Sequence, residues 1–275
     1  MAEKAKTLES LEKAYLSIIA YESGVWGLKA CYRSYEINNE FADFLKNAPL
    51  PDLPSDQMDQ YHKILDQKIE GYRDKANQFQ EACAAQAKKW ETCDPELAAY
   101  FVGSKNSGRI SSFSSGNAQT DISENFIQNG KLKQVHEQLM QKPGDSDRMI
   151  LLAKGYIDAR DYRQAIVIAS KAIDEMKDSK KSLKAVAHNL LGLSYLYNQN
   201  DSLAKDAFKK ALKEDSKCES AKINLAALFR HYGHTDKADD LCDSLRNTNF
   251  TEDENSAIHP RAKEMYNDKN RLAHN

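Results

Sequence analysis

Residues 189–211 read NLLGLSYLYNQNDSLAKDAFKKA, and residues 223–245 read INLAALFRHYGHTDKADDLCDSL. Each position of the second stretch lies 34 residues beyond its counterpart, so Leu191, Gly192, Tyr195, Ala204, Phe208 and Ala211 align with Leu225, Ala226, Phe229, Ala238, Cys242 and Leu245. The character is kept at each step: large, small, aromatic, small, bulky apolar, apolar. A repeat of this length marks stacked supersecondary units, because one copy cannot bury its faces without a neighbour. Small residues at Gly192/Ala226 and Ala204/Ala238 let two helices of a hairpin approach closely, and the aromatics fill the gap to the next hairpin. The Asn198–Asp201 and Gly233–Asp236 segments supply the tight turns.

Working towards the N-terminus, an earlier copy carries Leu152, Ala153, Tyr156, Ala165, Ala169 and Ala172, with its turn at Arg160–Asp161. It is five residues longer, and the segment Lys177–Lys181 is the expected place for the insertion. A fainter copy precedes it at Phe126, Gly130, Val135 and Leu139. The pattern resembles that of tetratricopeptide-repeat proteins over about half the chain. The resemblance implies an all-α superhelix of helical hairpins (an α-solenoid), with three to four repeats across residues 121–249. Working towards the C-terminus, residues 250–275 hold Ala262, Met265, Tyr266 and Leu272, which read as a closing helix that shields the last repeat.

The first hundred residues are helical by periodicity but do not show this repeat. Leu8, Leu11, Tyr15 and Ile18 draw one stripe along a first helix. Ser23 and Gly24 offer a break. A second helix carries Val25, Leu28, Cys31, Tyr32, Tyr35, Phe41, Phe44 and Leu45, and must stop before Pro49. Ala48-Pro-Leu-Pro-Asp-Leu-Pro54 is a stiff connector, with Ser55 and Asp56 as cap and first-turn residues of a third helix. In that helix Met58, Tyr61, Leu65, Tyr72, Ala76, Phe79, Cys83 and Trp90 hold one seam, as in long antiparallel helices. A helix of roughly 35 residues reaches on the order of 50 Å. Gly71 is tolerated in its middle and is the expected place of any bend, Asp94-Pro95 the expected end, and a short helix from Pro95 to Phe101 closes the region at residues 1–102.

Residues 103–120, GSKNSGRISSFSSGNAQT, are rich in Gly, Ser and Asn and read as a linker or surface loop. No GK[ST] sequence follows the glycines, so a phosphate-cradling loop is not supported.

The whole chain also resembles a narrower group, the repeat proteins of gliding and predatory deltaproteobacteria, including those of the gliding-motility apparatus. The residues that carry this are Trp26, Ala30, Tyr32 and Arg33, then Phe41 to Leu45, Ala48-Pro-Leu-Pro, Tyr61, Leu65-Asp-Gln-Lys68 and Lys75-Ala76. Membership there implies an envelope-associated, periplasmic component of a multiprotein machine. Met1 to Glu12 is polar and lacks the apolar stretch of a secretion signal. The expected compartment is therefore periplasmic if a signal is missing from this sequence, and cytoplasmic otherwise.

Composition narrows the function classes. With 39 basic against 41 acidic residues, the chain offers no broad basic field for nucleic acid or a membrane surface. No run of 18 apolar residues argues for a membrane-spanning helix. Five scattered cysteines without a CxxC are neither a disulfide framework nor a zinc site, although Cys218 and Cys242 could meet across a hairpin. His231 and His234 at a turn are too few for a metal centre. No nucleophile-and-base motif is present, so no catalytic residue, metal or cofactor is expected.

What remains is an inner face lined by the first helix of each hairpin: Lys154, Ile157, Asn189, Leu193, Leu196, Tyr197, Ile223 and Arg230, with Ala227 and His231. An apolar groove with a few polar anchors suits a peptide segment of a partner protein. The competing reading covers these residues with the tail or the N-terminal helices. Of the positions at which some relatives grip a C-terminal carboxylate, only Lys154 and Asn224 suit an acidic end, so a chaperone-tail receptor is not expected. A non-enzymatic scaffold is the expectation, with self-assembly through the N-terminal helices as the alternative.

Overall fold

The computed structural model describes residues 2–20, 24–95, 97–98, 113, 130–176, 180–245 and 257–273, and all of its regular elements are helices. They are α1 (Ala2–Ala20), α2 (Val25–Lys46), α3 (Ser55–Lys89), α4 (Gly130–Gln141), α5 (Ser146–Asp158), α6 (Tyr162–Glu175), α7 (Lys181–Tyr197), α8 (Asp201–Glu214), α9 (Glu219–His231), α10 (Thr235–Asp243) and α11 (Pro260–Ala273). The chain forms two compact units. One comprises Met1–Thr92 with Glu96–Gly108, the other Cys93–Pro95 with Arg109–Asn275.

In the first unit α2 packs against both α1 and α3. Leu8, Phe41, Ala42, Leu45 and Ile69 form its main core, with Tyr72 edge-on to Phe41 at 4.8 Å. A buried carboxylate joins all three helices: Glu12 accepts from Asn38 at 2.8 Å and pairs with Lys75 at 2.6 Å. Gly24, at φ 55°, makes the break between α1 and α2. Leu28, Ala87 and Leu97 form a second cluster with Val25 and Trp90.

Several expectations for this unit are corrected. Pro54, not Ser55, precedes the first turn of α3, and its carbonyl accepts from Gln57 and Met58. The helix runs uninterrupted through Gly71, which is tolerated in its middle as the sequence reading has it. It ends at Trp90, before Asp94-Pro95, because Glu91 turns left-handed (φ 52°) and Thr92 donates back to the Ala87 carbonyl at 3.1 Å. Pro95, Leu97 and Ala98 are helical; the rest of the short helix expected there lies outside the described residues. The cysteines differ most. Cys31 of α2 and Cys83 of α3 form a disulfide with Cα atoms 6.0 Å apart, whereas Cys218 and Cys242 remain thiols.

In the second unit each helix from α4 to α10 packs on the next, α5 also touches α7, and α7 also touches α9. Three turns share one hydrogen-bond scheme. Asp161, Asn200 and His234 donate to the carbonyls of Tyr156, Tyr195 and Phe229 at 2.9, 2.8 and 2.8 Å. The left-handed residue in each is Arg160, Gln199 and Gly233. Turns two and three are therefore 34 residues apart, and turns one and two 39, which is the register read from the sequence with its five-residue insertion. The insertion goes mainly into α7, which has 17 residues against 13 in α9. Asp161 and Asn200 cap the helices that follow by accepting the Gln164 and Leu203 amides.

The small-residue position has a steric cause. A Cβ on Gly192 would stand 2.5 Å from the buried Phe208 ring, so only glycine permits α7 and α8 to sit this close. Tyr195 packs with Leu191, Ala153 and Ala169, which joins one hairpin to the one before it. Val135 and Leu139 of the faint copy lie in α4, while Phe126 is outside the described residues. The tail helix α11 packs on α9, and Tyr266 donates to the Leu245 carbonyl at 2.6 Å.

Candidate functional site

The layer α5, α7, α9 places the expected inner-face residues together, but not as an open groove. Asn189, Leu193, Leu196 and Ile223 are buried; Lys154, Ile157, Tyr197 and Arg230 keep partial exposure. The first four are covered, which is the competing reading of this face given above. Arg230 is paired with Asp239 of α10.

The polar part of this face holds a non-helical strap, Ala257-Ile258-His259, which leads into α11. Asn189 of α7 and Asn224 of α9 both donate Nδ2 hydrogens to the Ala257 carbonyl, at 2.9 and 3.0 Å. Asn224 Oδ1 in turn accepts the His259 N–H at 2.8 Å. The two amides are tied to each other, Asn224 donating to Asn189 Oδ1 at 3.0 Å, and Asn189 also donates to Ser220 Oγ at 3.2 Å. Both carboxamides are fully buried and use donors and acceptors alike. What they read is backbone.

The strap's third side chain enters a row of rings. His259 lies 4.8 Å from Tyr197 and 5.1 Å from Phe113. Tyr197 stacks on Tyr162 at 4.9 Å and 13°, and Phe113 meets His231 edge-on at 5.5 Å. His259 Nδ1 accepts the Arg261 amide at 3.2 Å, so the imidazole caps α11, with Pro260 at its first position. Burial, and then the neighbouring Arg261 charge, push the imidazole down to about 4. It is held neutral. Burial likewise raises the Tyr197 phenol to about 12, helped by Tyr162.

Phe113 lies in the stretch expected to be a linker, yet it is buried in this unit. Its N–H donates to Asp201 Oδ2 at 2.6 Å, and its carbonyl accepts from Arg261 at 2.7 Å, with that guanidinium over the ring. Tyr232 also donates to Asp201 Oδ2, at 2.7 Å. Among the described residues, Asp201 Oδ1 is buried without a hydrogen-bond partner. Burial raises the Asp201 carboxyl above its ordinary value, against the lowering effect of the Phe113 and Tyr232 hydrogen bonds. Burial and the adjoining Asp201 charge push the Tyr232 phenol upward.

Of these residues, the sequence reading singled out Asn189, Tyr197, His231 and Asn224. It missed Asp201 and Tyr232 as a pair, and Phe113 and His259 altogether. The pair had a signal in its two buried turn positions, but a lone Phe among serines and three tail residues have no periodicity to reveal them. Among the described residues no group of three His, Cys, Asp or Glu converges as a metal site would, and no helix is long and apolar enough to cross a membrane. Compared with protein-family models and with curated proteins, the sequence returns no match.

Proposed function

We propose that this chain is a non-enzymatic protein-interaction scaffold of the tetratricopeptide-repeat type, whose inner face along α5, α7 and α9 holds a backbone segment of a partner. The observation that carries this reading is the Asn189–Asn224 pair. Two buried carboxamides on successive first-layer helices grip one carbonyl and one N–H of a non-helical strap. Such contacts supply affinity to any backbone, and the surrounding rings supply selectivity. The repeat assignment is supported by the three like turns and by the Gly192–Phe208 contact. Against catalysis, Asp201 accepts from the Phe113 amide and the Tyr232 hydroxyl, and the His259 imidazole accepts the Arg261 amide at the start of α11. The Cys31–Cys83 disulfide favours an oxidising compartment, which accords with an envelope-associated, gliding-motility type assembly.

A random-peptide display selection on the full chain tests the scaffold reading. Selected segments are expected to lose at least tenfold in affinity for an Asn189→Ala/Asn224→Ala chain that keeps its circular dichroism. Undiminished binding would move the interaction to another surface.

A second reading, self-assembly through the N-terminal helices, draws on the first unit's exposed Trp26 (69%), Ile64 (55%) and Leu16 (49%). Monomeric solution mass at micromolar concentration would count against it.

A further inference from the structure

Resting on the scaffold reading above, we propose that residues 257–266 and Phe113 close the inner face in cis, and that the partner is a protein segment entering a helix with the strap's own chemistry. That chemistry is a small residue, then any aliphatic one, then a flat neutral acceptor such as His or Asn at the helix cap.

Three observations carry the closure. The seam under the strap is polar: Asn189, Asn224, Ser220 and the strap backbone meet there. Hydrogen-bonded groups can return to water when the covering segment leaves, so exposing this seam costs less than exposing an apolar one. The closed state also leaves Asp201 Oδ1 buried and without a hydrogen-bond partner among the described residues, a penalty that opening relieves. Finally, a small crevice lies between Ala226, Ala227 and Cys242 on one side and Ala262, Met265 and Tyr266 of α11 on the other.

The partner's chemistry follows from what the face accepts. The carboxamides take one carbonyl and, two residues later, one N–H, whatever the side chains. The first residue must be small, since Ala257 is already buried. The third must be flat and uncharged to lie between Tyr197 and Phe113, and must accept a first-turn amide as His259 Nδ1 does. A helix then follows, with a small residue and an aromatic at the places of Ala262 and Tyr266, both buried here.

The probe is a fluorescent peptide with the sequence of residues 255–267, titrated into the full chain and into a full chain carrying Ile258→Asp and His259→Ala. The peptide is expected to bind the substituted chain at least tenfold more tightly than wild type. Adding Asn189→Ala and Asn224→Ala is expected to abolish that binding. Equal affinity for wild type and the strap variant, or binding that survives loss of both asparagines, overturns the proposal. Failure of this peptide where display-selected segments do bind the strap variant also overturns it, and leaves the scaffold reading standing. Should the strap variant not fold, amide exchange in wild type decides. The His259 amide is expected to exchange at least tenfold faster than amides in the middle of α7 and α9, and exchange in step with them overturns the closure.

Discussion

His259 can accept the Arg261 amide through Nδ1 only while that nitrogen carries no proton. The groups around it offer a proton little help: Tyr197 and Phe113 are rings, Arg261 is a cation beside it, and His231 and Asp201 lie beyond Phe113. The unfolded chain takes up a proton near 6.5, while the folded imidazole resists until about 4. Its stabilising contribution is therefore present above pH 6.5 and lost as pH falls towards 4, and spans roughly 3 kcal/mol. Urea unfolding of wild type should show that decline, and His259→Asn, which keeps a cap acceptor without the titration, should flatten it. Asp201 runs the other way. Its raised carboxyl favours the fold below the ordinary carboxylate range and loses that contribution as pH rises through the folded value, so its slope persists in the His259 variant. Tyr232→Phe removes one of the two donors to this buried carboxylate and should cost about 1.5–3 kcal/mol in the same measurement. A change below about 0.5 kcal/mol would mean that the carboxyl is protonated or hydrated there.

Two glycines with opposite surroundings separate packing from propensity among the helices. Gly192→Ala should destabilise the chain by about 1–3 kcal/mol, because the new methyl meets a ring that has nowhere to go. Gly71→Ala, with nothing near its Cβ in the middle of α3, should stabilise by roughly 0.5–1 kcal/mol. Thermal melts of both variants check the pair. The disulfide between α2 and α3 closes a loop across 52 positions, so reduction or Cys31→Ser should cost the first unit about 2–4 kcal/mol. Non-reducing mass spectrometry should find Cys31 and Cys83 joined and Cys93 alkylatable after unfolding. At this scale the sequence is most legible. A hairpin's close approach makes steric demands at fixed positions, so Gly192, Tyr195 and Phe208 return 34 residues later as Ala226, Phe229 and Cys242. The disulfide was not legible, since its partners sit on different helices and meet only when those helices pack. The strap was hidden for another reason: Asn189 and Asn224 stand 35 positions apart and are not register equivalents, so comparing copies does not pair them.

For the molecule as a whole, the proposal that this chain holds other proteins rests on its balanced charge and on the two carboxamides that bond the strap backbone. That the helices carrying the candidate residues pack in one layer was legible, because the 34-residue spacing assigns them to like positions of successive hairpins. Cover by the tail was legible as one of two alternatives, but its seat was not, because that depends on Phe113 and His259, which no pattern marks. Light scattering of the purified chain should give a mass near 31.1 kDa, whereas a stable dimer would favour assembly through the N-terminal helices. The most direct test of the central claim is amide hydrogen exchange of the full chain with and without a saturating display-selected segment. The account predicts new protection concentrated in α7 and α9 around Asn189 and Asn224. Protection confined to α1–α3, with α7 and α9 unchanged, would contradict it.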